Sequence, residues 1–336
     1  MTLPGTPPGT LPAEMRVVAM TEPGGPDVLV PATAPLPEPR SHEVLIRVEA
    51  AGVNGPDLVQ RRGHYPPPKG ASELLGLEVS GVVAALGDDV TQWQKGDRIT
   101  ALTNGGGYAE FVAVDASHCL PVPKGIDGVD AAGLPEAFFT VWSNVFFGHD
   151  TPEGSVFLVH GGAGGIGSTA IQIGAALGLR VFTTADGPDA CAWCESLGAE
   201  RAINFREEDF VPILREAGGA NIILDIIGGD YIARNIKAAH ADARLIQLAF
   251  NLGSKVEIDL MPLMLKRLNL TGSTLRSRPD AFKSAVASEL RSVVWPLIEH
   301  GAIRPTTHQV FPLEQAAAAH AMMESGSQRG KIILKP

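Results

Sequence analysis

Residues Gly162, Ala163, Gly164, Gly165, Ile166 and Gly167 spell G-x-G-x-x-G. Glycines at this spacing let backbone N–H groups close on a diphosphate, so the ligand such a loop reads is a dinucleotide. Gly162 is expected to permit the tight turn, Gly164 to let the backbone approach the pyrophosphate, and Gly167 to let the next helix pack close. Asp186 follows Gly162 by 24 positions. The spacing expected for an acid that binds the adenosine ribose is about 20. A carboxylate there accepts from both ribose hydroxyls and repels a 2′-phosphate, which points to NADH. Asp186-Gly187-Pro188 reads equally well as a simple turn. Cys191-Ala192-Trp193-Cys194 is a C-x-x-C, but the sequence offers no second ligand pair to complete a zinc site. Its surroundings have helical character, so two cysteines on a helix face is the simpler reading.

The loop needs a strand before it and a helix after it. Ser155–His160 is an apolar run, and Ile166, Ala170, Ile173 and Leu177 recur at helical spacing. Beyond them, apolar strands (180–184, 201–204, 221–226, 244–248, 268–273) alternate with helical stretches (189–197, 207–217, 231–239, 259–267). That alternation defines a parallel sheet covered on both faces. A helix over 279–300 follows, then a strand, a helix and a last strand at 331–334. Upstream, residues 15–125 are cut by Gly and Pro into short strand-like runs (15–20, 43–50, 79–86, 98–102, 109–114), the pattern of a small β-rich, barrel-like domain. The predicted fold class is therefore α/β in two domains, one β-rich and one doubly wound.

With 336 residues, both domains have enough chain for a full core. The net charge of −10 without basic runs excludes a nucleic-acid or anionic-membrane binder as the leading class. No apolar stretch is long enough to span a bilayer. Three cysteines exclude a disulfide scaffold and suggest the cytoplasm. The 38 glycines and 26 prolines call for many turns within a folded chain. Residues 1–14, rich in proline, read as a loose extension.

Motifs in both halves carry a specific resemblance. They are Ala51-Gly52-Val53-Asn54-Gly55-Pro56-Asp57-Leu58, Arg62-Gly63-His64-Tyr65-Pro66-Pro67-Pro68, Leu75-Gly76-Leu77-Glu78-Val79-Ser80-Gly81, Gly105-Gly106-Gly107-Tyr108-Ala109-Glu110, the HGGAGGIG run from His160, Ile203–Phe210 and Gly330-Lys331-Ile332-Ile333-Leu334. From about Met15 onward the chain resembles the zinc-free, zeta-crystallin-like quinone oxidoreductases of the medium-chain dehydrogenase/reductase superfamily. The resemblance implies a GroES-like catalytic domain (15–137 and 278–336), a Rossmann domain (138–277) with the cofactor in the cleft between them, and a homodimer that pairs the strand at 268–273.

Zinc-dependent relatives place Cys where this chain has Asn54 and His where it has Leu77. Neutral Asn and Leu do not replace a thiolate and an imidazole, so no metal is expected. By resemblance, Asn54 and Tyr65 act near the nicotinamide and the acceptor carbonyl. Tyr65 donates its O–H to a developing oxyanion, and Asn54 fixes the cofactor or bonds the carbonyl. A capping role for Asn54, packing for Tyr65 and a local cap for Asp57 are the plainer readings. Thr140 and Phe250 match positions lining the nicotinamide site. NADPH-using relatives carry a small residue, Lys and Tyr where this chain has Asp186, Ala190 and Phe205. The family thus favours NADPH and these three residues favour NADH, with Arg206 and Arg329 as cations able to compensate. The expected activity is hydride transfer from NAD(P)H to a quinone. The alternatives are reduction of α,β-unsaturated carbonyls or enoyl thioesters, and a non-catalytic cofactor-binding protein.

Overall fold

The early prolines and glycines cut the chain into short, half-buried strands. In the computed structural model, which describes residues 11–336, these are β1 (Glu14–Met20), β2 (Leu29–Pro35), β3 (Glu43–Val53), β4 (Glu78–Leu86), β5 (Arg98–Leu102), β6 (Phe111–Asp115) and β7 (Cys119–Pro121). Residues 1–10 of the extension expected over 1–14 lie outside the described residues, and Glu14 already belongs to β1. The later strands are β8 (Val156–His160), β9 (Arg180–Ala185), β10 (Arg201–Asn204), β11 (Ala220–Asp225), β12 (Ala239–Gln247), β13 (Asn269–Gly272), β14 (Thr307–Pro312) and β15 (Lys331–Lys335).

The chain divides into two compact units, one formed by residues through Glu136 together with Thr307–Pro336, the other by Ala137–Thr306. The second division falls at 306/307 rather than at 277/278. The helical stretch from Asp280 to Glu299 thus belongs to the second unit and not, as expected, to the β-rich one.

In the first unit, β3 is the organising strand. It pairs antiparallel with β4, β6 and β15 within a seven-stranded sheet of order β14-β15-β3-β4-β5-β7, with β6 off that path on β3. β2 was not predicted, because it carries Pro31 and Pro35. It pairs only with β1, so proline there breaks no second ladder. Val44, Ile46, Val53, Val79, Ile99, Ile332 and Leu334 form the core.

The second unit is a six-stranded sheet of order β10-β9-β8-β11-β12-β13, parallel throughout. β8 is buried at all five positions, as a strand covered on both faces must be. Leu158, Phe182, Ile203, Ile223 and Leu245 from neighbouring strands meet in one core. The order reverses beside β8, which puts the loop after β8 where doubly wound sheets bind ligands. The predicted helix 279–300 is broken by a π-helical turn, Leu290–Val294. Pro296 follows it and has no N–H to give to a regular turn.

Candidate active site

β8 ends at His160 and the chain enters the glycine loop, whose helix runs Gly165–Ala176 with Gly164 as its N-cap. The sharp turn is made by Gly161, at φ +73°, and not by Gly162 as the motif suggested. Gly162 is required for another reason: a Cβ there would run into Thr183 Oγ1 of the adjacent strand. At Gly167 a Cβ would strike Gly161 O, so the helix start packs directly on the loop. Gly164 differs from both. Its backbone is ordinary extended chain (φ −80°, ψ 175°), and a Cβ would meet only Gly161 O at 3.6 Å. The protein itself does not need glycine at 164. The open space at the helix N-terminus is of the kind a dinucleotide diphosphate fits. Ala163, Gly165 and Ile166 are partly exposed around it.

The residues expected at the adenosine end stand at the carboxyl ends of β9 and β10. Asp186 follows β9, and Phe205 follows β10 with its N–H on Ala185 O at 3.2 Å; both side chains are exposed. Asn204 Oδ1 accepts from the backbone N–H groups of Gly187 (3.1 Å) and Arg206 (3.3 Å), which ties the two turns together. Asp186 is not a lone anion. Arg206 grips it bidentately, Nε to Oδ1 and Nη2 to Oδ2 (2.8 Å). Hydrogen bonding from Arg206 lowers the Asp186 pKa. Ala190 is buried on helix Pro188–Ser196, as are the two free cysteines Cys191 and Cys194. Burial pushes the Cys191 thiol up, in keeping with a side chain packed inside the unit.

Phe250 is exposed in the loop after β12. That loop rests on the loop after β11, through Leu252 N–H to Ile227 O (2.8 Å) and Gly229 N–H to Gly253 O (2.9 Å). The second unit therefore gathers 162–167, Asp186, Phe205 and Phe250 along the carboxyl edge of its sheet. Thr140 lies on helix Pro135–Val141, where its carbonyl accepts from Asn144 Nδ2 at 2.8 Å.

In the first unit, Asn54 caps helix Gly55–Arg61, and Tyr65 is half-buried four residues beyond it. Asn54 is buried in a charged cluster that sequence reasoning missed. Lys331 Nζ lies 2.5 Å from Asn54 Oδ1 and 2.5 Å from Glu78 Oε1, and Asn54 Nδ2 donates to Glu78 Oε1 at 2.9 Å. Glu136 N–H closes on Glu78 Oε2 at 2.8 Å. The signal was available: a lysine and a glutamate interrupt the apolar runs KIIL and LEV. Asp57 is the local cap expected, with Oδ2 accepting from Asn54 N–H (2.9 Å) and Oδ1 from Gly76 N–H (3.0 Å). Burial pushes its pKa up to about 6 despite these donors. Behind it, Tyr108 Oη lies 3.3 Å from Asp57 Oδ2 and 2.9 Å from His320 Nε2. Burial, then Arg61, hold the His320 imidazole down at about 3.

Comparison with known proteins agrees with this architecture. An alcohol dehydrogenase GroES-like domain matches residues 40–124, and a zinc-binding dehydrogenase domain matches 197–334. Quinone oxidoreductase from Rattus norvegicus is 30% identical over 327 residues, covering 95% of this chain and 97% of the relative. Among solved structures, an NAD-dependent alcohol dehydrogenase superposes with a TM-score of 0.85 at 29% identity, covering 96% of this chain and 100% of that one. Escherichia coli quinone oxidoreductase, complexed with NADPH, gives 0.81 at 25% identity, covering 96% and 99%. The chain belongs to the quinone oxidoreductase family of the medium-chain dehydrogenase/reductase superfamily. Among the described residues, no helix is long and apolar enough to cross a membrane.

Proposed function

We infer that the protein is an NAD(P)H-dependent quinone oxidoreductase that works without zinc. The observation that carries the cofactor half is Gly164, a glycine that neither conformation nor packing requires, at the N-terminus of the helix after β8. The loop 162–167 holds the diphosphate, and Thr140 and Phe250 border the nicotinamide. When bound, the dinucleotide supplies a hydride. Asn54 orients the acceptor carbonyl, and the Tyr65 hydroxyl donates a hydrogen bond to the oxygen that gains charge.

The zinc-free reading rests on Lys331. Zinc-dependent relatives hold a thiolate at position 54, whereas here an ammonium sits on Asn54 and on the Glu78 carboxylate. A fixed cation opposes a dication, and the remaining oxygen donor is already paired.

For cofactor choice, the Asp186–Arg206 pair offers both readings at once. The carboxylate suits the ribose diol of NADH, and the guanidinium suits the 2′-phosphate of NADPH. We propose that both are used, with NADH retained because Ala190 and Phe205 give the phosphate no further partner. The test is steady-state kinetics with one quinone. Asp186→Ser releases Arg206 and should shift the kcat/KM ratio toward NADPH by about tenfold, while Arg206→Ala should shift it toward NADH by a similar factor. Tyr65→Phe should lower kcat and leave cofactor affinity alone. If none of these variants departs from the parent, neither the pair nor the hydroxyl serves the reaction.

We also propose a homodimer through β13. That edge strand, with Leu270 on it, is exposed at all four positions, and Leu260, Met261, Met264 and Leu265 in the segment before it are exposed as well. Sedimentation should give twice 35.3 kDa for the parent and 35.3 kDa for Leu265→Glu; a monomeric parent excludes the dimer. The three cysteines, all free and buried, agree with a cytoplasmic setting, which recovery outside the cytosolic fraction would contradict.

A further inference from the structure

The second unit carries a buried row of side chains that the reaction above does not use. His160, the last residue of β8, is 1% exposed. Its Nε2 lies 2.7 Å from Asn235 Oδ1, and its Nδ1 lies 3.0 Å from Thr184 Oγ1. Asn235 Nδ2 in turn donates to Asp225 Oδ2 at 2.8 Å.

That last bond sets the direction of the others. The Asn235 amide nitrogen faces a carboxylate, so its oxygen faces the imidazole and must accept. Nε2 therefore carries the proton, and Nδ1 is an acceptor for the Thr184 hydroxyl. With its hydrogen committed to Nδ1, Thr184 Oγ1 accepts from Gly161 N–H at 3.3 Å. At the far end, Asp225 Oδ1 accepts from the N–H groups of Ile227 (2.6 Å) and Gly228 (3.0 Å). The rings of Phe210 and Tyr231 stand edge-on to the imidazole, each 4.8 Å away between centroids, and Arg234 covers both. Burial lowers the His160 pKa, which keeps the ring in the neutral form this row requires.

The row has one polarity and two ends. One end is Gly161, where the glycine loop makes its turn. The other is Gly228, against which Phe250 packs so closely that a Cβ would come 2.9 Å from Phe250 Cδ1. Gly161 and Gly228 are each held by a backbone N–H, so the side chains between them link the two loops beyond the point where the pairing of β8 with β11 ends.

We infer that His160 is a positioning residue for the cofactor: through Thr184 on one side and Asn235–Asp225 on the other, it fixes the glycine loop relative to the loop that supports Phe250. The inference rests on reading 162–167 as the dinucleotide loop. A residue that merely fills space would be replaceable by any side chain of similar volume. A positioning residue needs one donor and one acceptor in the right places.

The test compares His160→Leu, His160→Gln and Thr184→Val with the parent by fluorescence titration of NADH and NADPH, together with thermal midpoints. His160→Leu keeps the volume and loses both polar atoms. The glutamine amide restores a donor and an acceptor. Thr184→Val removes only the bridging hydroxyl, and it carries the test if the leucine variant does not fold. In His160→Leu and Thr184→Val the Kd should rise by roughly tenfold, the lower range for supporting groups around a functional site. The rise should be equal for both dinucleotides, because the loop reads the diphosphate and not the 2′ position. His160→Gln should recover most of the affinity. Parent-like Kd values in His160→Leu or Thr184→Val, or a glutamine variant as weak as the leucine one, would overturn the inference. A parent that binds neither dinucleotide would overturn the loop reading, and this inference with it.

Discussion

Gly164→Val should raise the Kd for either dinucleotide by at least about a hundredfold and leave the fold in place. The two halves of that expectation come from the same geometry. The site is extended backbone, which suits a β-branched residue, and a Cβ finds no protein atom nearer than Gly161 O at 3.6 Å. The cost to the fold is a poorer helix cap, about 1 kcal/mol. The cost to binding is steric and complete, because the branched carbons occupy the space where the diphosphate meets the helix N-terminus. Gly162→Ala and Gly167→Ala make the contrast, since their Cβ atoms collide with Thr183 Oγ1 and with Gly161 O and should lower the thermal midpoint instead. Titration of cofactor fluorescence alongside thermal unfolding separates the cases. Tight binding by Gly164→Val would remove the loop from the site.

The second large effect is on stability. Lys331→Met should destabilise the protein by about 3–5 kcal/mol, because it leaves the Glu78 carboxylate buried without its cation. Glu78 is 0% exposed, and among the described residues its oxygens receive, besides Lys331, Asn54 Nδ2 and Glu136 N–H. A methionine matches the lysine stem in volume, so the loss reports charge and not packing. Adding Glu78→Gln to Lys331→Met should restore much of the loss, since no uncompensated ion remains. Urea denaturation measures both variants. If Lys331→Met alone is as stable as the parent, the pair is not the anchor of the first unit.

The parts of this molecule legible in the sequence are those governed by local periodicity. The strand–loop–helix of 156–176 was legible because an apolar run, a glycine triplet and a 3.6-residue repeat stand in order. Parallel strands such as β11 were legible because the strand is buried on both faces and Ile222, Ile223 and Leu224 form a plain apolar run. What the string does not show is who meets whom across the fold. Asn54, Glu78 and Lys331 are separated by up to 277 positions, and the antiparallel pairings of β15 and of β4 with β3 bring them together. Asp186 was legible as an acid at the right distance from the loop, but not as an acid already held by Arg206. The turn glycine was misassigned by one position, because the motif counts residues while the backbone dihedral at Gly161 makes the turn. Residues 280–299 went to the wrong unit for a related reason: helical periodicity reveals a helix and not its neighbours.

On the proposed reading, hydride passes to quinones with this chain's own residues and without a metal. The measurement that tests it most directly is the rate of NADPH and NADH oxidation with a panel of quinones, before and after exhaustive chelation. The expected result is quinone-dependent oxidation at the same rate in both preparations, with less than stoichiometric zinc by elemental analysis. Loss of activity on chelation with recovery on adding zinc, or no oxidation with any quinone, would contradict it.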